Sequence, residues 1–113
     1  MNTILVYMTA PDADTAHRIG RAIVERRLAA CVNIIPGMQS LYWWDGKIQD
    51  EHEVVLLAKT TAMSFAALKE CIVDLHPYEV PCIVSVALQN GHGPFLDWIR
   101  AQVLDPGAAT EKC

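Results

Sequence analysis

Asp45-Gly46 is the pair of residues that most constrains this chain. It stands between two runs of strand-forming residues, Met38 to Trp44 on one side and Lys47-Ile48 leading into Val54-Val55-Leu56-Leu57-Ala58 on the other. A two-residue turn of this composition takes positive φ at its centre, which aspartate tolerates and glycine prefers, and it joins only antiparallel neighbours. The two runs are therefore a β-hairpin. Upstream, Ala30-Cys31-Val32-Asn33-Ile34-Ile35 extends the first strand, and Pro36-Gly37 interrupts it as a bulge or bend does. The hairpin is consequently long and bent. Its outer part carries Tyr42, Trp43 and Trp44 in succession, and strand alternation puts these aromatics on both faces. Either they fold onto their own core, or a ribbon arm clasps a neighbouring subunit, as aromatic enrichment at interfaces favours.

The rest of the chain is arranged around that hairpin. Residues 4–8 read as a buried strand, and Thr9-Ala10-Pro11-Asp12 breaks it and opens a helix that Asp12 can cap. Ala16, Ile19 and Ile23 line one helical face, with Arg26 and Arg27 placed at the end that the macrodipole favours. After the hairpin, Thr60 and Thr61 offer caps for a second helix carrying Phe65, Leu68, Ile72 and Leu75 on one side. Cys82 to Leu88 is a further strand. Pro94 suits the first position of a third helix with Leu96, Ile99 and Val103 on its apolar face, and Asp105-Pro106-Gly107 stops it. The order β-α-β-β-α-β plus a C-terminal helix is the α+β, ferredoxin-like split βαβ plan, with both main helices on one side of the sheet. One domain spans residues 1–113, and about 105–113 reads as a loose tail.

Composition matters here because 52% of so short a chain is hydrophobic. The strands are near-continuous apolar runs, as expected when both faces of a sheet are buried. Two helices cover one face, so another subunit is expected on the other. The formal charge of −4 gives no electrostatic footprint for nucleic acid or an anionic membrane, and both are excluded as partners. The N-terminal residues carry no basic n-region or cleavage site, and no apolar run is long enough to span a bilayer, so the expected compartment is the cytoplasm. Cys31, Cys71, Cys82 and Cys113 form no CxxC pair, and in that compartment they are expected to be thiols.

The chemistry concentrates at His76-Pro77-Tyr78-Glu79-Val80-Pro81, where two prolines stiffen a linker that presents an imidazole, a phenol and a carboxylate. The same segment also serves as plain punctuation between helix and strand. Candidate metal donors are His76, Cys71, Cys31, Met8 and Glu79, a set whose sulfur and imidazole content leans toward copper. Buried apolar packing equally accounts for Cys31 and Cys71. Lys59, Tyr78 and Glu79 form a conceivable polar cluster in a cleft, whether for an ion pair or for a small anionic ligand. No nucleophile–base pair, P-loop or metallohydrolase motif occurs, so no enzymatic activity and no organic cofactor are expected.

Thr9-Ala10-Pro11-Asp12, Leu28-Ala29-Ala30-Cys31-Val32-Asn33 with Ile35-Pro36-Gly37, Tyr42-Trp43-Trp44-Asp45-Gly46-Lys47-Ile48, Lys59-Thr60 and the His76 to Pro81 stretch together resemble the CutA divalent-cation-tolerance proteins. The resemblance covers nearly the whole chain. It implies a homotrimer in which hairpin arms wrap neighbours and clefts form between subunits. It also implies binding of copper or another divalent metal ion, a role in metal ion homeostasis, and a likeness to PII signalling modules. On that alternative, the clefts take a small molecule or a protein partner. Some family members carry a cysteine just before Thr-Ala-Pro-Asp and a histidine just before His-Pro-Tyr; here Met8 and Leu75 stand there.

Overall fold

The structure, a computed structural model, describes residues 2–104 of the 113. Its elements are β1 (Thr3–Ala10), α1 (Ala13–Glu25), β2 (Cys31–Trp44), β3 (Lys47–Thr61), α2 (Phe65–Leu75), β4 (Ile83–Ala87) and α3 (Gly93–Gln102). The strands form one antiparallel sheet in the order β2-β3-β1-β4, the ferredoxin-like arrangement expected from the element order. The tail, its Asp105-Pro106-Gly107 stop and Cys113 lie outside the described residues.

Side-chain alternation divides the sheet into two faces. Ile4, Val6, Met8 and Ala10 of β1 join Val54, Leu56 and Ala58 of β3 in a core closed by Ala16, Ile19 and Ile23 of α1 and Leu68, Cys71 and Ile72 of α2. Separately from that cluster, α3 packs on β1 and β3 and buries Ile99 and Val103. Val84 and Val86, paired with Tyr7 and Leu5, point to the other face and stay 55% and 58% exposed. The expectation of two buried faces is thus met within one chain on the helical side only.

The hairpin turns through Asp45 and Gly46, both at positive φ (55° and 74°), as its sequence requires. A register shift between Ile35 and Met38 marks the bulge at Pro36-Gly37, and Gly37 supplies the φ of 82° that the bulge needs. β1 pairs with β3 only from Val54 onward, so residues 38–53 form a two-stranded arm beyond the four-stranded sheet. On that arm Leu41, Trp43, Trp44 and Ile48 are all at least half exposed.

Two expectations about helix ends need correcting. Thr60 and Thr61 do not cap α2. They are the last residues of β3, where the Thr60 hydroxyl donates to the Leu28 carbonyl at 2.6 Å and Thr61 pairs with Ser64 at 3.0 Å. A 3-10 turn, Ala62–Ser64, then leads into α2. The long-range bond to Leu28 satisfies a buried carbonyl and outweighs the local capping preference. At the other site, α1 begins as expected, with Asp12 accepting from the Thr15 N–H at 2.7 Å. Its last turn, however, holds no basic residue. Arg26 is the C-cap, and Arg27 lies beyond it at φ 60°. The Arg27 N–H donates to Val24 O and the Leu28 N–H to Ile23 O, which is the Schellman pattern with arginine in the position usually held by glycine.

Candidate functional site

The face of β3 that turns away from α1 and α2 carries Glu53, Glu51, Gln49 and Lys47 in alternation, paired with Met38, Ser40, Tyr42 and Trp44 of β2. Together with Tyr7 and Thr9 of β1 these residues, Met38 excepted, form the floor of a groove of about 990 Å³. Its opposite wall is the linker Pro77, Tyr78, Glu79 and Val80, ending at Cys82. The Tyr7 hydroxyl reaches the Met38 sulfur at 3.4 Å where the arm leaves the sheet.

The groove is acidic. Among its lining residues four carboxylates, Asp45, Glu51, Glu53 and Glu79, face one ammonium, Lys47. Glu53 is 7% exposed and its charge acts on the neighbouring Tyr78 phenol; no cation neutralises it among the described ion pairs. Desolvation, followed by the charges of Glu53, Tyr42 and Glu51, pushes the Tyr78 phenol up to about 12. The Tyr42 hydroxyl donates to Glu51 at 3.1 Å, and loss of hydration together with that carboxylate raises it as well. Burial and Glu53 raise the Cys82 thiol. At neutral pH the phenols and the thiol are therefore protonated donors.

His76, at the C-cap of α2 and 8% exposed, is the residue that ties the linker to the sheet. The Tyr78 N–H donates to Nδ1 at 3.1 Å, so Nδ1 has no proton in the neutral ring. Nε2 consequently carries it and donates to the Thr9 carbonyl at 2.8 Å. The Tyr78 ring leans on the imidazole with centroids 4.8 Å apart.

The expected metal set is not brought together in one chain. Both His76 nitrogens are engaged, Met8 is 1% exposed within the helical-side core, and Cys71 is 4% exposed and bonded in a disulfide, which corrects its expected thiol state. Cys31 is a free thiol opposite Lys59, which pairs with Leu5. That level is four residues along β1 from Thr9, about 13 Å at strand rise. Among the described residues no three His, Cys, Asp or Glu side chains are grouped to hold a metal ion. Lys59 is likewise apart from Tyr78 and Glu79: its ammonium donates to Asn33 Oδ1 at 2.6 Å, while Tyr78 and Glu79 stand on the groove wall. Of the predicted site, then, Tyr78, Glu79, Tyr42 and Trp44 meet at one groove. Trp43, on the opposite strand face, is 72% exposed. Glu51 and Glu53 were missed. Their signal was the spacing Glu51-His52-Glu53 just ahead of an apolar run, which places both carboxylates on one strand face.

Fold and groove define a class, a ferredoxin-like α+β domain whose second and third strands run on into an arm bordering an acid-lined groove. The model of the family described as CutA1 divalent ion tolerance protein matches residues 4–102. A Thermus thermophilus protein named divalent-cation tolerance protein CutA is 47% identical over 85% of this chain and 93% of its own length. The human Protein CutA is 42% identical over 83% of this chain, which spans about half (52%) of the human protein. The crystal structure of CutA1 from Oryza sativa superposes with a TM-score of 0.91 at 35% identity, covering 93% of this chain and 96% of that one. The chain belongs to the CutA1 divalent ion tolerance family.

Proposed function

We propose that this protein is a homotrimer of cytoplasmic metal ion homeostasis that takes up copper or a related divalent ion at the acid groove. The observation that carries this reading is Glu53, a carboxylate 7% exposed beside a neutral phenol, with no cation paired to it among the described ion pairs. A desolvated carboxylate is costly without a counter-charge, and a divalent cation supplies one. Glu51 stands two residues along on the same face, and Glu79 faces both from the linker. The donors are oxygens, which suit divalent ions; among first-row divalent metals copper(II) binds such sites most strongly. Copper(I), which prefers sulfur, is the poorer fit, because Met8 and Cys71 are enclosed in the core. A neighbouring subunit completes the coordination, and the same neighbour covers Trp43, Trp44, Val84 and Val86.

Titration of copper(II) against a competing chelator tests the site. Glu53→Gln is expected to weaken binding by about tenfold or more, a loss seen even for outer-shell partners. His76→Asn is expected to leave affinity unchanged, since its ring nitrogens already have partners. Full affinity in Glu53→Gln would move the site elsewhere. Sedimentation of the metal-free protein is expected to give three times the 12.5 kDa chain mass, and a folded monomer would remove the assembly.

A further inference from the structure

We propose that His76 is a proton-operated latch on the wall of the acid groove. The neutral ring is held in one tautomer by a donor that cannot reverse its role: a backbone N–H only donates, so the 3.1 Å contact from Tyr78 requires a bare Nδ1. A second proton on the imidazole has to go to that nitrogen. Two donors then face each other, and one must leave.

The ring is the part that stays. Its Nε2–H bond to the Thr9 carbonyl, 2.8 Å in the neutral form, strengthens when the donor becomes cationic, and β1 is fixed in the sheet on both sides. Tyr78 is the part that moves. Residues 76–82 belong to no helix or strand, and Pro77 and Pro81 make the stretch shift as a stiff unit. Tyr78 carries its phenol away from Glu53 as it goes, so one proton at His76 opens the groove wall and exposes a buried carboxylate.

The polar groups that meet the ring are the Thr9 carbonyl from β1 and the Tyr78 amide, with the Tyr78 phenol ring against its side. Charged groups on the elements around it are Asp74 near the end of α2, exposed; Asp12 at the start of α1, engaged by the Thr15 N–H; Glu79 on the linker, exposed; and Glu53 on β3, behind Tyr78.

The device needs no bound metal, so its test uses the metal-free full chain and stands or falls separately from the copper titration. Ring nitrogen shifts of His76 and exchange protection of the Tyr78 amide are followed by NMR between about pH 8 and pH 5, the range in which imidazoles titrate. At the upper end Nδ1 is expected to be bare and Nε2 protonated. As pH falls toward the ring's midpoint, Tyr78 protection, corrected for intrinsic exchange, is expected to fall by up to about tenfold per pH unit, the slope of one linked proton, and to be lost below it. His76→Asn places an amide oxygen where Nδ1 stood, an acceptor that does not titrate, and is expected to keep Tyr78 protected throughout. A ring that takes up its proton while Tyr78 protection holds overturns the proposal. So does a ring that stays neutral to pH 5, or an Asn variant with the wild-type pH profile.

Discussion

Arg27→Gly is the most informative single change in the fold, because it separates a backbone cost from a side-chain gain at one position. Arg27 sits in the left-handed region at φ 60°, where an L-residue with a Cβ costs about 1–2 kcal/mol. Its guanidinium Nη1 donates to Gln102 Oε1 at 3.0 Å and lies 3.4 Å from the Gln102 carbonyl, while the Leu104 N–H donates to the Arg27 carbonyl at 3.0 Å. The side chain thus clamps the end of α3 to the end of α1. Being solvent-exposed, that clamp contributes no more than about 1 kcal/mol. Glycine removes both clamp and strain but gives the unfolded chain extra entropy that costs about 0.4–1 kcal/mol. Alanine removes the clamp and keeps the strain. Arg27→Ala is therefore expected to be destabilised by about 0.5–1 kcal/mol, and Arg27→Gly to exceed Arg27→Ala by about 1 kcal/mol. Equilibrium unfolding in guanidinium at one fixed protein concentration, with m-values compared, measures the difference. An alanine variant as stable as the glycine variant would refute the strain argument at this position.

Other perturbations test other parts of the molecule. Leu56→Ala, at a fully buried position beneath α1 and α2, is expected to cost about 2–5 kcal/mol in the same unfolding assay. Tyr78 titrates near 10 when unfolded and about 12 when folded, so the folded state holds more protons between those values. Its contribution is complete below pH 10 and is lost as pH rises toward 12; two units bound it at about 2.7 kcal/mol, and solvent screening of a half-buried phenol lowers this to about 1 kcal/mol. Tyr78→Phe should flatten that alkaline limb relative to wild type, and an unchanged limb would assign it to other groups. Asp12→Ala is expected to destabilise α1 and to abolish the acid-side loss from the Asp12 carboxyl. That carboxyl is held below the ordinary aspartate range by the Thr15 N–H, so the stability it adds disappears as pH falls through its folded value. Trp43→Ser, on a ring 72% exposed in one chain, should leave monomer folding intact and weaken self-association in sedimentation, whereas an unchanged assembly would take the ring out of the interface.

Much of the architecture was legible in local chemistry. Asp45-Gly46 specified the turn, Pro36-Gly37 the bulge, Asp12 the helix start and Pro94 the third helix, because each depends on the dihedral preference or missing N–H of the residue itself. The threonines show where this stops. Thr60 and Thr61 carry ordinary capping side chains, but a buried carbonyl 32 residues away claims the Thr60 hydroxyl. Arg27 is similar: no propensity puts arginine at a left-handed helix end, and only the arrival of α3 gives it a reason. The site was legible in half. Tyr78 and Glu79 stood out between prolines, while Glu51 and Glu53 read as part of a charged hairpin segment.

The order of strands and helices, the hairpin register and the presence of an over-long aromatic arm were determined by the sequence alone, since periodicity and turn chemistry act over neighbouring residues. Which polar groups share a site was decided by the tertiary structure. His76 looked like a metal ligand from its neighbours in the chain. The fold turned both of its nitrogens inward, one to Thr9 across 67 residues and one to Tyr78, and so made it a fastening. Glu53 became the buried charge of the groove only once β3 had been laid beside β2 and beneath the linker. A side chain's chemical type belongs to the sequence, but its hydration and its partners come from segments far along the chain, and these decide which chemistry that type expresses.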